Sequence, residues 1–307
     1  IIITMWVMEI MVMIPATTAN LGPGFDCLGM ALALHNQVIF SVLESGLEVH
    51  VLGEGAGSLP VDNRNLVVQA AERVFAHLGR RPAGLRVQQQ NHIPVGSGLG
   101  SSAAAVLGGL LAANDLVNGD LAPADLLRMA VEMEGHPDNV AAAYYGGLVV
   151  VNQDGDQYHV DRVAMPLMKV VLVLPQVSLS TAAARAVLPG QVSLADAVFN
   201  TGRVAALVQA LARADYTKLA WATQDRWHEA YRLPLIPGAL AAKAAGLAAG
   251  ADAVVLSGAG PSLLALAGRN HEGIVTAMQA AFTAEHIASR TWILPVDGQG
   301  VTVIRKH

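Results

Sequence analysis

A glycine-rich segment at residues 94–102 has the residue types that phosphate binding requires. Its members are Pro94, Val95, Gly96, Ser97, Gly98, Leu99, Gly100, Ser101 and Ser102. Glycines let backbone N–H groups turn toward an anion, and the helix predicted over 101–117 would add roughly half a positive charge at its N-terminus. The two last serines could cap that helix or contact phosphate and Mg²⁺. The alternative is a glycine turn that serves packing alone.

The spacing of this segment separates it from two common nucleotide-binding loops. No lysine follows its last glycine, so it is not a Walker A loop, and it does not follow the G-x-G-x-x-G pattern. The segment by itself therefore indicates a generic phosphate site.

Two polar clusters carry groups suited to an ammonium ion. Asn20 and Asp26 lie on either side of a glycine-rich turn and supply an amide and a carboxylate. His136, Asp138 and Asn139 follow the end of a predicted helix and place an imidazole, a carboxylate and an amide within four residues. The alternatives are an Asx-type turn for the first cluster and a capped turn for the second.

Two arginines could bind a carboxylate. Arg185 and Arg232 each precede a proline-bounded turn. A guanidinium binds a carboxylate through two parallel hydrogen bonds, so two of them would clamp an α-carboxylate. Either arginine alone is typical of a solvated surface. Together with the groups for an ammonium ion, they predict an amino-acid site.

The elements that must position these residues alternate between strand and helix. A predicted strand at 85–89 precedes the glycine segment, and a predicted helix at 122–134 precedes the polar cluster at 135–139. A second half begins around 165–169, with helices at 196–214 and 216–229 and a last strand near 292–296. Residues 15–24 are predicted to form a polar loop. Strands and helices mixed in both halves indicate an α+β architecture.

Composition narrows the class of protein. The chain has 307 residues, 53% of them apolar, and a net charge of -5 with scattered lysines and arginines, which argues against a nucleic-acid partner. The lone Cys27 excludes an internal disulfide and fits a reducing cytoplasm. The apolar opening 1–14 carries Glu9, lacks a basic flank and is shorter than the ~20 residues of a membrane span, so its second half is predicted to be a strand.

Three ordered segments resemble the motifs of the GHMP kinases. Residues 94–104 are similar to the central ATP motif of that family, residues 15–26 to its N-terminal motif, and residues 258–262 to its C-terminal glycine loop. The resemblance implies a two-domain GHMP kinase fold, with a ribosomal-protein-S5-like domain over 1–166 and a ferredoxin-like domain over 167–307. It further implies ATP in the cleft between them, with Asn65 near the adenine and Gly258 and Gly260 near the phosphates.

The same resemblance implies roles for individual residues. Glu134 and Ser102 are the implied Mg²⁺ ligands, and Thr181 is expected near the transferred phosphoryl group. Glu132 is the rival ligand, because residues two apart on a helix project about 200° apart and only one can face the cleft. Asn139 is expected to orient the acceptor hydroxyl. Asp138 is assigned to the substrate together with His136, although some family members use an acid there as a base.

The expected acceptor is L-homoserine. Residues 15–26 and 135–140 resemble the homoserine-phosphorylating form of the family, and Thr17 stands where mevalonate-phosphorylating members have lysine. The resemblance also implies a homodimer in threonine biosynthesis. Two alternatives stay open: a family member that phosphorylates another small alcohol, and a ligand sensor of the same fold without turnover.

Overall fold

The computed structural model of the protein describes residues 9–166 and 168–306. The strands are β1 (Glu9–Asn20), β2 (Gly24–Leu43), β3 (Gly46–Gly53), β4 (Gly84–Asn91), β5 (Leu148–Asp154), β6 (Gln157–Val163), β7 (Lys169–Pro175), β8 (Ala253–Leu256), β9 (Leu263–Leu266), β10 (Ser289–Pro295) and β11 (Thr302–Lys306). The helices are α1 (Leu66–Leu78), α2 (Ser101–Leu116), α3 (Pro123–Glu134), α4 (Asp138–Tyr145), α5 (Thr181–Ala186), α6 (Leu194–Ala212), α7 (Leu219–Ala222), α8 (Glu229–Arg232), α9 (Ala239–Ala248) and α10 (His271–Ala284). Their mixture confirms the α+β class.

The strands form two sheets. The first has the order β11-β1-β2-β4-β3, with β5 paired to β2 and β6 paired to β5. The second has the order β10-β7-β9-β8 and is antiparallel throughout. The predicted start of the second domain, residue 167, lies outside the described residues, and the division at that point stays a prediction.

Strand β11 belongs to the first sheet, although residues 302–306 fall within the range predicted for the second domain. Strand β11 pairs antiparallel with β1, with Lys306 opposite Glu9, and so completes the first sheet. The strand at 292–296, predicted to be the last, is β10 of the second sheet. The pairing satisfies backbone groups that β1 would otherwise present at an open edge.

The first strand extends into residues that were predicted to form a loop. Residues 15–20 continue β1 because they pair with β2 beyond a register shift at Pro15/Ala16. The turn is thereby limited to residues 21–23. Around it, Asn20, Leu21 and Asp26 have φ angles of 69°, 51° and 54°, a region that non-glycine residues seldom occupy.

Helix α2 carries the glycine-rich segment at its N-terminus. Its buried residues lie on every side, as is typical of an interior helix. Gly109 permits the close approach of α1, because a Cβ atom there would lie 2.3 Å from the Val67 carbonyl oxygen. The segment is therefore mounted on a helix that the core fixes in place.

The predicted helix over 216–229 is interrupted. A short 3-10 turn leads into α7, and α8 begins only at Glu229. The carboxylate of Asp225 accepts backbone N–H groups of Trp227, His228 and Glu229, which ends one helical segment and starts the next.

Within residues 9–166 and 168–306, no helix is both long and apolar enough to cross a membrane. The first eight residues of the apolar opening lie outside the described part of the chain.

Candidate active site

The glycine-rich segment lines a cavity of about 460 Å³. Gly96, Gly98 and Gly100 have φ angles of 66°, 77° and 72°, which glycine adopts without strain. The predicted serine caps are wrong: Gly100 is the N-cap of α2, and no side chain caps the helix. The first N–H groups of α2 therefore stay available to an anion.

A second glycine loop closes on the first. Ser257 Oγ donates to the Gly98 carbonyl oxygen at 2.8 Å and accepts from the Thr18 hydroxyl at 2.9 Å. The Ser262 N–H donates to the Ser97 carbonyl oxygen at 3.3 Å. Gly258 and Gly260, both predicted to lie near the phosphates, line the same cavity. The two sheets thus meet at the glycine-rich segment.

The close contact between the two loops gives a test by alanine substitution. A Cβ atom on Gly98 would lie 2.4 Å from the Ser257 carbonyl oxygen, whereas one on Gly96 would meet nothing within 4 Å. Both substitutions carry about 1–2 kcal/mol of left-handed backbone strain. We expect Gly98→Ala to lose clearly more unfolding free energy in urea, and at least tenfold more affinity for a nucleoside triphosphate, than Gly96→Ala. Equal losses would show that the contact is unimportant.

Asn65 is the N-cap of α1 and forms part of the cavity wall. Its Oδ1 accepts from the Val67 N–H at 2.9 Å and from Gln89 Nε2 at 2.8 Å, and its Nδ2 donates to the Pro60 carbonyl oxygen at 2.8 Å. The side chain is buried, so it shapes the wall through the residues it holds. Gln89 was not anticipated, because nothing in a strand sequence marks one glutamine as a cavity residue.

Oxygen donors for a divalent cation lie beside the first turn of α2. Ser102 Oγ donates to Glu134 Oε2 at 2.7 Å, and both residues line the cavity. Burial raises the pKa of Glu134, although the Ser102 hydroxyl and the charge of His136 act against the rise. Glu132 points elsewhere and pairs with Arg73 and Arg128 on the surface.

This donor set fits Mg²⁺, which binds proteins through one or two carboxylates and completes its shell with phosphate oxygens and water. In the described ranges there is no cluster of three or more His, Cys, Asp or Glu side chains that could hold a metal by itself. A cation shared with bound phosphates is the arrangement that Ser102 and Glu134 fit.

The polar cluster 136–139 is the start of α4. Asp138 is buried, and its Oδ1 accepts from the Asn139 backbone N–H at 2.7 Å and from His136 Nδ1 at 3.0 Å. Burial alone would lower the pKa of His136, but the hydrogen bond and charge of Asp138 raise it above its ordinary value. Asn139 Oδ1 accepts from Thr17 Oγ1 at 2.7 Å, a partner that the sequence did not reveal. His136 and Asn139 both reach the cavity.

Asn20, Asp26 and Arg185 meet next to this cluster. Asn20 Oδ1 accepts from the Asp26 N–H at 3.0 Å, and its Nδ2 donates to the Gly258 carbonyl oxygen at 2.9 Å. The carboxylate of Asp26 forms two hydrogen bonds with Arg185, of 2.7 Å and 3.0 Å. The residues predicted to bind an ammonium and a carboxylate therefore bind each other here.

Arg232 is a buried cation, 1% exposed. Its Nε donates to the Ala184 carbonyl oxygen at 3.0 Å, and no described carboxylate lies within 4.0 Å of its guanidinium. Burial, together with the charge of Arg185, lowers its pKa to about 10, so it stays protonated at neutral pH. The Phe25 ring lies 5.1 Å from the Arg232 guanidinium carbon and 5.4 Å from that of Arg185. The two guanidinium groups beside this ring repel each other, and an anion bound between them would reduce that repulsion.

The segment that carries Arg232 depends on Asp225. Burial would raise the pKa of this carboxyl, but the charge of His228 and the hydrogen bonds from Asn200 and from backbone N–H groups hold the pKa below its ordinary value. Its hydrogen bonds to Asn200 Nδ2 and the His228 N–H measure 2.8 Å and 2.7 Å.

A pKa lowered by folding makes stability depend on pH. The contribution of Asp225 is present above the unfolded pKa of about 3.9 and is lost as the pH falls through the folded value. We expect Asp225→Asn to lower the unfolding free energy at pH 7 by about 1.5–3 kcal/mol and to flatten its decline below pH 4. Urea unfolding between pH 7 and 2.5 measures both, with the exposed Asp156→Asn as the control. Parallel declines in the two variants would contradict this expectation.

Comparisons with known proteins find relatives over nearly the whole length of the chain. A sequence profile of the GHMP kinases N terminal domain matches residues 65–147. The homoserine kinase of Moorella thermoacetica is 44% identical over 295 residues, 96% of this chain and 99% of that protein. The homoserine kinase of Nostoc punctiforme is 42% identical over 297 residues, 96% of this chain and 98% of that protein. The crystal structure of homoserine kinase from Cytophaga hutchinsonii matches with a TM-score of 0.87 at 35% identity, covering 96% of this chain and 97% of that one.

The chain therefore belongs to the GHMP kinases, the class that the two sheets and the glycine-rich segment define. Within that class, identities of 44% and 42% over 96% of its length place it in the homoserine kinase family. The two-domain α+β fold expected from the resemblance is confirmed.

Proposed function

We propose that this enzyme transfers the γ-phosphoryl group of ATP to the side-chain hydroxyl of L-homoserine, giving O-phospho-L-homoserine and ADP. The observation that carries the proposal is the buried Arg232. It forms no ion pair with a carboxylate in the part of the chain that the structure describes, and it lies beside the glycine loops. A buried cation that is not paired within the protein favours an anionic ligand. An α-carboxylate satisfies that need, and Asp26 and Asp138 suit the accompanying ammonium group.

The chain's own residues act chiefly by positioning. Backbone N–H groups of 96–102 hold the phosphates. The homoserine oxygen attacks the γ-phosphorus in line while the bond to ADP breaks, and the hydroxyl proton passes to an oxygen of the transferred phosphoryl group or to water. Asn139 has one amide N–H beyond its contact with Asp138 and can orient the attacking hydroxyl. Thr181, which lines the cavity at the start of α5, contacts the transferred group. Mg²⁺, held by Ser102 and Glu134, would neutralise charge on the phosphate oxygens.

Asp138 binds the substrate in this proposal and does not act as a base. Its hydrogen bonds within residues 9–166 and 168–306 all use Oδ1, which leaves Oδ2 for an ammonium group. We expect Asp138→Asn to raise KM for homoserine about 10- to 150-fold, as the loss of a hydrogen bond to a charged group of about 1.5–3 kcal/mol predicts, with kcat little changed. Steady-state kinetics at saturating ATP measure this. A large fall in kcat at unchanged KM would instead support Asp138 as a general base.

A coupled ADP-release assay tests the function itself. L-homoserine, mevalonate, shikimate and simple sugars are offered as acceptors with ATP and Mg²⁺. Preferred turnover of homoserine supports the proposal, preferred turnover of another alcohol supports the open alternative of a different family kinase, and no turnover with any acceptor favours a sensor.

We further propose a cytoplasmic homodimer that serves threonine biosynthesis, as the resemblance implies. Sedimentation velocity of the purified chain tests the dimer, and a monomer at assay concentration would reject it.

A further inference from the structure

The acceptor site contains an ion pair between the two residues expected to bind opposite ends of the substrate. Arg185 Nη2 donates to Asp26 Oδ1 at 2.7 Å, and Nη1 donates to Oδ2 at 3.0 Å, the paired geometry in which a guanidinium binds a carboxylate. The pair joins residues 159 apart in sequence. The Arg185 and Asp26 side chains are 37% and 32% exposed.

The Asp26 side of this pair is fixed. Its backbone has a φ of 54°, and its N–H donates to Asn20 Oδ1, whose amide is tied in turn to the Gly258 carbonyl oxygen. The backbone that carries the Asp26 carboxylate is therefore fixed by hydrogen bonds through Asn20 to the glycine loop at Gly258.

The Arg185 side is attached by few contacts. Of the six residues of α5 only Ala184 is buried, and its carbonyl oxygen accepts from Arg232 Nε at 3.0 Å. The first residue of the same helix, Thr181, lines the nucleotide cavity. Helix α5 thus depends on the arginines of the acceptor site and also reaches the expected position of the phosphates.

We propose that the Asp26–Arg185 pair is a latch that selects acceptors carrying both an ammonium and a carboxylate group. This inference rests on the proposed function and explains how the acceptor site would discriminate against singly charged ligands. A zwitterion gives Asp26 a new cation and gives Arg185 and Arg232 a new anion, so no charge is left unpaired. A ligand with only a carboxylate must separate Arg185 from Asp26 and leaves the Asp26 charge without a partner. The pair is about one-third exposed, so it is weak enough for a zwitterion to displace.

Inhibition by a singly charged analogue tests the latch. 4-Hydroxybutyrate keeps the hydroxyl and the carboxylate of homoserine and lacks its ammonium group. Its competitive inhibition constant against homoserine is measured for the wild-type enzyme, for Asp26→Asn, and for the exposed control Asp156→Asn. We expect Asp26→Asn to lower this constant about three- to tenfold while raising KM for homoserine at least tenfold, and the control to change neither. An unchanged or higher inhibition constant in Asp26→Asn overturns the latch.

Hydrogen exchange of the wild-type enzyme gives a second test that needs no variant. L-2-aminobutyrate, a zwitterion that cannot be phosphorylated, is expected to change the exchange of residues 180–186, whereas 4-hydroxybutyrate and 3-amino-1-propanol at the same occupancy do not. Equal changes with all three ligands overturn the latch. Failure of the wild-type enzyme to phosphorylate homoserine overturns the proposed function and the latch with it. If the wild-type enzyme phosphorylates homoserine but Asp26→Asn leaves the inhibition constant of 4-hydroxybutyrate unchanged, the latch alone is overturned.

Discussion

Replacing Arg232 by glutamine is expected to raise KM for homoserine roughly 30- to 4,000-fold, because removing one partner of a buried charge pair costs about 2–5 kcal/mol. Arg232 is buried and keeps its charge at neutral pH, so its free energy of interaction with an α-carboxylate is barely screened by solvent. KM for ATP should change little, since the residue does not line the nucleotide cavity. Initial rates against both substrates measure the two constants.

The matched control is Arg213→Gln, an exposed arginine on the same half of the chain. It should behave as wild type in both constants. Because Arg232 also holds Ala184, circular dichroism and thermal unfolding must show that Arg232→Gln is folded. A folded variant with an unchanged KM for homoserine would remove the main support for an amino-acid acceptor.

Glu134→Gln is expected to lower kcat about 10²- to 10³-fold, the range typical of losing one preorganised electrostatic group in a transition state. The substitution keeps the size of the side chain and its contact with Ser102 but removes the negative charge that fits Mg²⁺. A higher Mg²⁺ concentration for half-maximal rate should accompany the loss. A titration of activity against Mg²⁺ at fixed ATP measures both effects.

Glu132→Gln provides the comparison two residues away on the same helix. This side chain pairs with Arg73 and Arg128 at the surface, and exposed pairs contribute about 0–1 kcal/mol. Its kcat and Mg²⁺ dependence should stay near wild type. If Glu132→Gln were the damaging variant, the metal assignment would pass to that residue.

Local sequence predicted the parts of the site that local conformation determines. The glycines of 96–100 turn the backbone because their own φ angles allow it, and the helix that follows is encoded in its own residues. The polar cluster at 136–139 was also evident, since its members are neighbours in the chain. The two-domain fold was predicted from the resemblance of three motifs, in their order along the chain, to those of the GHMP kinases.

Contacts between distant residues could not be predicted in this way. The Asp26–Arg185 pair and the Thr17–Asn139 hydrogen bond span 159 and 122 residues, and no periodicity records them. The burial of Arg232 was equally hidden, because an isolated arginine is normally exposed. Phe25 was noted only as part of a motif, although it lies against both arginines.

The pairing of β11 with β1 has a consequence for folding during synthesis. Domains generally begin to fold as they leave the ribosome, N-terminal part first. Here β1 lacks its outer neighbour until residues 302–306 have been made, so a nascent first sheet would carry an unprotected edge until then. Such edges recruit other chains. Deleting β11 should therefore harm yield and solubility more than activity per folded molecule, because none of residues 302–306 lines the nucleotide cavity.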